Sequence, residues 1–159
     1  MKQWYKQNQK QADIVYVDET GFAPTTHRTH GWSPKGTEVY GEIHYDKRPR
    51  TGLLAGYLNH SLVAPFVFDG TCDTDLFNQW LQDMLLPALK PGSVIVMDNA
   101  TFHKSQTTKE YITAAGCQVL FLPPYSPHLN PIEKVWANIK RQWSYYSNQT
   151  LDSIISAYG

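Results

Sequence analysis

Two short runs, Ile14-Val15-Tyr16-Val17 and Val94-Ile95-Val96-Met97, are apolar or aromatic at every position, and each stops at an aspartate, Asp18 and Asp98. Runs this short, rich in β-branched residues and without polar alternation, suit central strands buried on both faces. Burial on two sides requires a layer above and a layer below, so these runs commit the chain to a sheet covered by helices. With 159 residues, 42% of them hydrophobic and 13% aromatic, the chain can build the core of one domain.

The remaining pattern fills in that architecture. Residues 1–12 read as a polar lead-in and 13–159 as one continuous domain, without internal repeat or low-complexity linker. Asp13 to Asp18 is the first strand. From about Thr26 to Phe68, glycines and Asn59-His60 punctuate apolar runs, which predicts antiparallel strands, with Thr51–Leu58 and Leu62–Phe68 the clearest pair. Asp73 caps a helix carrying Leu76, Phe77, Trp80, Leu81, Met84 and Leu85 at helical spacing, which Pro87 ends or kinks. Strand Ser93 to Asp98, a helix from about Ser105 to Ala115 closed by Gly116, and strand Gln118 to Leu122 follow. After the stiff segment Pro123-Pro124-Tyr125-Ser126-Pro127, Asn130 as N-cap and Pro131 at the first position open a helix whose stripe is Ile132, Val135, Trp136, Ile139 and Trp143. Leu151, Ile154, Ile155 and Tyr158 suggest a terminal helix. One mixed sheet with helices on its faces accommodates this order, and it sets the strands ending at Asp18 and Asp98 side by side.

Glu133 is turned about 100° from Ile132, on the flank of the buried stripe, where it can face a cleft. Three acids at structural breakpoints, Asp18, Asp98 and Glu133, are the hard oxygen ligands that a pair of Mg²⁺ ions requires for phosphodiester chemistry. Each has a plainer reading: Glu133 as the far partner of a capping box from Asn130, Asp98-Asn99 as a turn, and Asp18 as a solvated strand end with Glu19 as the ligand instead. Fourteen basic and fourteen acidic residues cancel, which argues against a free-standing basic DNA-binding domain. Cys72 and Cys117 form neither a ligand spacing nor a disulfide framework, and no apolar run is long enough to span a bilayer, so the chain reads as cytoplasmic. His27 and His30 lack companions at zinc-ligand spacing.

Three motifs carry a family resemblance: Val17-Asp18-Glu19-Thr20-Gly21-Phe22, the run Met97-Asp98-Asn99-Ala100-Thr101-Phe102-His103-Lys104-Ser105, and the run from Leu122 through Pro131-Ile132-Glu133 to Trp136. With residues 99–132 between the second and third acids, the chain resembles the catalytic domain of DDE transposases of the mariner superfamily, in its bacterial insertion-sequence branch. The likeness extends from about Asp13 to Ile139. It implies a ribonuclease H-like α/β fold, a mixed five-stranded sheet flanked by helices on both faces. It implies that Asp18, Asp98 and Glu133 are catalytic and bind two Mg²⁺ ions, with Mn²⁺ able to substitute, Asp18 bridging the pair. Glu19, Asn99, His103, Lys104, Arg28, Lys35 and Lys134 are candidates for contacting DNA or supporting the acids.

The activity implied is hydrolysis at transposon ends followed by attack of the exposed 3′-hydroxyl on target DNA, within a homodimer acting near the nucleoid. Relatives place helix-turn-helix DNA-binding domains ahead of the catalytic domain, and the early first strand suggests either a catalytic fragment or the second reading frame of a split element whose DNA-binding half is joined by frameshifting. Electrostatic affinity for DNA would then come largely from that half. Two rival readings keep the fold: a nuclease acting on RNA-containing substrates, and a domesticated, non-catalytic DNA-binding or assembly module.

Overall fold

A computed structural model describes residues 12–22, 50–100, 104–145 and 150–159. Its five strands form one sheet: β1 (Ile14–Phe22), β2 (Thr51–Leu58), β3 (Ser61–Asp69), β4 (Val94–Met97) and β5 (Gln118–Phe121), in spatial order β3-β2-β1-β4-β5. β1 runs parallel to β4, and β4 parallel to β5; β2 pairs antiparallel with β1 and with β3. The fully apolar runs are indeed the central strands. Val94–Met97 is buried at every position, with strand partners on both edges.

The helices are α1 (Thr74–Trp80), α2 (Gln106–Ala114), α3 (Ile132–Tyr145) and α4 (Leu151–Ile155). Asp73 caps α1 by accepting from the Leu76 amide at 2.8 Å, and Ser105 caps α2 by accepting from the Thr108 amide at 3.0 Å. Beyond Trp80 the helix widens into a π-helical stretch, Leu81–Leu85, and ends in a short turn, Leu86–Ala88, one residue past Pro87. Proline lacks the amide needed for the next helical bond, so the chain changes its hydrogen-bond register around it. Gly116 adopts φ +74° just after α2, the left-handed position the sequence assigns to it.

Two apolar layers enclose the sheet. On one face, Val15, Val17, Leu54, Ile95 and Met97 pack against Phe77, Trp80, Leu81 and Leu85 of the α1 segment and Ile112 of α2. On the other, Phe22, Leu53, Ala55 and Leu62 pack against Ile132, Val135, Trp136 and Ile139 of α3 and Leu151, Ile154 and Ile155 of α4. Thr108 on α2 donates to the Asn78 side chain on α1 at 2.6 Å, so a buried polar bond locks the first helical layer together. Burial of this apolar surface is the main stabilising term, at roughly 25 cal/mol per Å² removed from water.

One expectation is corrected. Asp18 does not end its strand: β1 continues to Phe22, because β2 goes on pairing with it from Ala55 to Thr51 after β4 has stopped at Met97. Asp18 therefore sits within β1, one residue past the last pair of the parallel ladder. The antiparallel strands expected between Thr26 and Arg50 lie largely outside the described residues, as does the lead-in before Ala12.

Candidate active site

The site begins with the parallel register. Val17 pairs with Met97, so the next residues, Asp18 and Asp98, leave the β1–β4 ladder together at one end of the sheet. β5 stops at Phe121, and the Leu122 amide donates to the Met97 carbonyl at 2.8 Å, which draws the Pro123–Pro127 segment to that end. The Asn99 side-chain amide donates to the Leu122 carbonyl, tying the exits of β4 and β5 together. Asp98 turns back on itself, its Oδ1 accepting from the Ala100 amide at 2.9 Å. α3 then crosses over β1 and brings Glu133 in from the side.

These pieces enclose a cavity of about 330 Å³, lined by Asp18, Asp98, Asn99, Asn130, Glu133 and the segment from Leu122 to Pro127. Asp18 is 7% exposed, and its Oδ2 accepts a hydrogen bond from the Trp136 indole at 3.2 Å. Burial, first, and then the negative charge of Glu133 push the Asp18 carboxyl up to about 8; Asp98 and a side-chain hydrogen bond with Glu133 add to the rise. An acid that holds its proton beside two other carboxyl groups marks a site with too much negative charge for one place. Perturbed carboxyls in a cleft of this kind mark functional sites, because the same repulsion is relieved by a bound cation.

The donor chemistry fits a hard divalent cation: carboxylate oxygens on three elements and an amide-bearing wall, with no cysteine or histidine among the described residues that line the cavity. Among the described residues no three of His, Cys, Asp and Glu are drawn together tightly enough to enclose a metal ion as they stand. Asp18 is the buried member of the three, while the Asp98 and Glu133 side chains are exposed.

Other predicted site residues fall elsewhere. Glu19, next to Asp18 on a strand, points to the opposite face, as strand alternation demands. It lines a small separate pocket with Arg50, Phe68 and Cys72, and its Oε2 is buried without a hydrogen-bond partner. The Cys72 thiol there is pushed up to about 12, by burial first and then by the charge of Glu19. Lys104 and Lys134 are exposed and do not line the cavity of the acids. Arg28, Lys35 and His103 lie outside the described residues.

The capping box is not formed. Asn130 is 3% exposed and its Oδ1 has no hydrogen-bond partner, while the Glu133 amide donates to the Asn130 backbone carbonyl at 3.2 Å. Glu133 is thus free of the capping role that competed for it. Two participants escaped sequence reasoning. Trp136 reads as a stripe residue, and only the fold shows what its indole meets. Tyr125 is fully exposed on the cavity wall at φ +56°, a conformation costly for a bulky residue; a tyrosine framed by prolines was the available signal.

Comparison with known proteins gives consistent results. A family model described as DDE superfamily endonuclease matches residues 13–155. Over 97 residues the chain is 32% identical to the uncharacterized protein y4pE/y4sA of Sinorhizobium fredii (strain NBRC 101917 / NGR234), covering 60% of this chain and 62% of that protein. Over 59 residues it is 39% identical to the transposable element Tc3 transposase of Caenorhabditis elegans, covering 37% of this chain and 18% of that one.

Among solved structures, the mariner Mos1 paired-end complex with Mg matches with a TM-score of 0.73 at 15% identity, over 98% of this chain and 50% of that one. The catalytic domain of Mos1 mariner transposase matches with a TM-score of 0.64 at 16% identity, over 98% of this chain and 72% of that one. The Mos1 strand transfer complex gives 0.69 at 16%, over 98% and 53%. At such identities the likeness shows the fold, a ribonuclease H-like mixed sheet with helices on both faces. The chain spans less than two thirds of the curated relatives it matches and about half of the longer Mos1 chains.

Proposed function

Because the chain belongs to the DDE superfamily of endonucleases, we propose that it is the catalytic domain of a DNA transposase, hydrolysing phosphodiester bonds at transposon ends and then joining the freed 3′-hydroxyl to target DNA. The observation that carries this reading is the convergence of Asp18, Asp98 and Glu133, from three separate elements, on one open cavity. Asp18, Asp98 and Glu133 would hold two Mg²⁺ ions, or Mn²⁺ in their place. Such a pair, when bound, activates the attacking oxygen and stabilises the departing one.

The chain's own residues have distinct tasks in this scheme. Buried and hydrogen-bonded, Asp18 is the fixed member; Asp98 and Glu133, both exposed, close on it from the β4 exit and from α3. No serine, cysteine or histidine nucleophile is needed, since the attacking group is a water in the first step and a DNA 3′-hydroxyl in the second. Tyr125 offers its ring to a base at the cavity mouth, where stacking is tolerant of sequence. With a net charge of zero, this part of the protein holds DNA by local contacts. Paired ends would be processed by a homodimer; the structural matches include Mos1 paired-end complexes.

Nicking of supercoiled plasmid by the purified chain in Mg²⁺ or Mn²⁺ tests the proposal. Asp98→Asn should lower the rate by at least about 100-fold, beyond the range usual for residues that only support metal ligands, and leave the circular-dichroism spectrum unchanged. Nicking that persists in Asp98→Asn, or that proceeds in EDTA, would remove the metal-site reading.

A further inference from the structure

α3 carries two residues of the site on one face. Glu133 reaches the cavity, and Trp136, three residues further on, reaches the strand beneath it, where its indole N–H meets Asp18 Oδ2 at 3.2 Å. Both partners of that bond are buried, Trp136 at 2% exposure and Asp18 at 7%. A buried indole N–H needs an acceptor, and many core tryptophans find a backbone carbonyl. Trp80, on the other face of the sheet, does so, donating to the Ala64 carbonyl at 2.8 Å. Trp136 instead uses a carboxylate that lines the acidic cavity.

We propose that Trp136 is a positioning residue for the site: its N–H fixes the Asp18 carboxylate in one rotamer before any cation arrives, and couples that carboxylate to the helix that delivers Glu133. The inference rests on the metal reading given above. An indole donates only and never ionises, so the bond survives any change in the charge of Asp18. A carboxylate has about four lone-pair directions, and Trp136 engages one of them, leaving capacity for a cation. Ordering the ligand in advance lowers the entropy lost on binding, the usual effect of a group that hydrogen-bonds a metal ligand from behind. Trp136 also packs in the core beside Ile132 and Ile139, so the position of the donor is set by the same contacts that seat α3.

Two measurements on the purified full chain test this. Calorimetric titration with Mn²⁺ should give about 10-fold or more weaker binding for Trp136→Phe, which keeps an aromatic ring and lacks the donor, than for the wild type. In ¹H–¹⁵N spectra of the wild-type chain, Mg²⁺ should shift the Trp136 indole signal while that of Trp80 stays in place. Mn²⁺ binding by Trp136→Phe equal to wild type would overturn the inference and leave the metal reading intact. If that variant does not fold, a Trp136 indole signal that ignores saturating Mg²⁺ would overturn it in the same way. A wild-type chain that binds neither ion would defeat the metal reading first, and the role of Trp136 with it.

Discussion

The two faces of the sheet use the same kind of material for different ends. Under α1 and α2, the strands present Val15, Val17, Leu54, Ile95 and Met97, an apolar layer with the Glu19–Cys72 pair only at its margin. Under α3, the layer of Phe22, Leu53 and Ala55 is interrupted by Asp18, which is buried almost as deeply as its apolar neighbours. The first face is built for stability alone. The second gives up apolar surface, buries a carboxyl that must keep its proton, and gains a site. Asp18 and Glu19 are adjacent in sequence, yet strand alternation sends one to the cavity of the acids and the other to Cys72.

The contrast can be broken first at Phe77, fully buried against the sheet on the face under α1. Phe77→Ala should destabilise the chain by about 3–5 kcal/mol in urea denaturation, through lost burial and a cavity, with Mn²⁺ affinity of the folded fraction unchanged. A parallel loss of metal affinity would mean that the two faces are not separable. On the other face, Asp18→Asn should act in the opposite direction in metal-free protein. With its carboxyl raised from 3.8 to about 8, the folded chain keeps a proton that the unfolded chain has released. The contribution of Asp18 to stability is therefore fully present below about 3.8 and is lost as the pH rises toward about 8. Asparagine does not titrate, so the advantage of Asp18→Asn should grow across that window to on the order of 2–4 kcal/mol. A difference that stays constant with pH would show that the carboxyl is not strained by its neighbours.

Smaller effects sharpen the same boundary. Glu19→Gln should alter Mn²⁺ affinity by less than about twofold, since its side chain faces away from the cavity; a larger loss in titration would make Glu19 part of the site. Tyr125→Gly should raise metal-free stability by up to about 1 kcal/mol by relieving the positive φ, offset in part by the freedom glycine adds to the unfolded chain. It should also weaken binding of single-stranded DNA ends in a fluorescence-anisotropy assay. Unchanged binding would show that the exposed ring has no such role.

Much of this was legible because the informative residues carry period as well as identity. The all-apolar runs before Asp18 and Asp98 specify central parallel strands, and the register of those strands alone brings the two acids to one end. The Ile132, Val135, Trp136 and Ile139 stripe locates α3 and, by phase, the flank on which Glu133 stands. What stayed hidden depends on partners distant in sequence. β1 runs past Asp18 because β2 continues to pair with it, and no local pattern announces that. The turn chemistry of Asn130-Pro131 predicts a side-chain cap, but Asn130 is buried on the cavity wall with its Oδ1 unpartnered. Trp136 has the same local sequence appearance whether its indole meets a carbonyl, as Trp80 does, or a carboxylate lining the acidic cavity.

Residues 99–132, between the second and third acids, include the whole of α2 and β5 before the chain returns to deliver Glu133 from α3. Asp98 is held by the β4 register and Glu133 by the seating of α3, so neither position is measured out by the length of chain that joins them. Extra residues spliced into the turn between α2 and β5 would lengthen the detour and leave its two endpoints where they are. A single residue inserted between Glu133 and Trp136 would do the reverse, rotating one against the other by about a quarter turn. The stretch of that excursion most open to redesign is thus the turn between α2 and β5, and the least forgiving part is one turn of one helix.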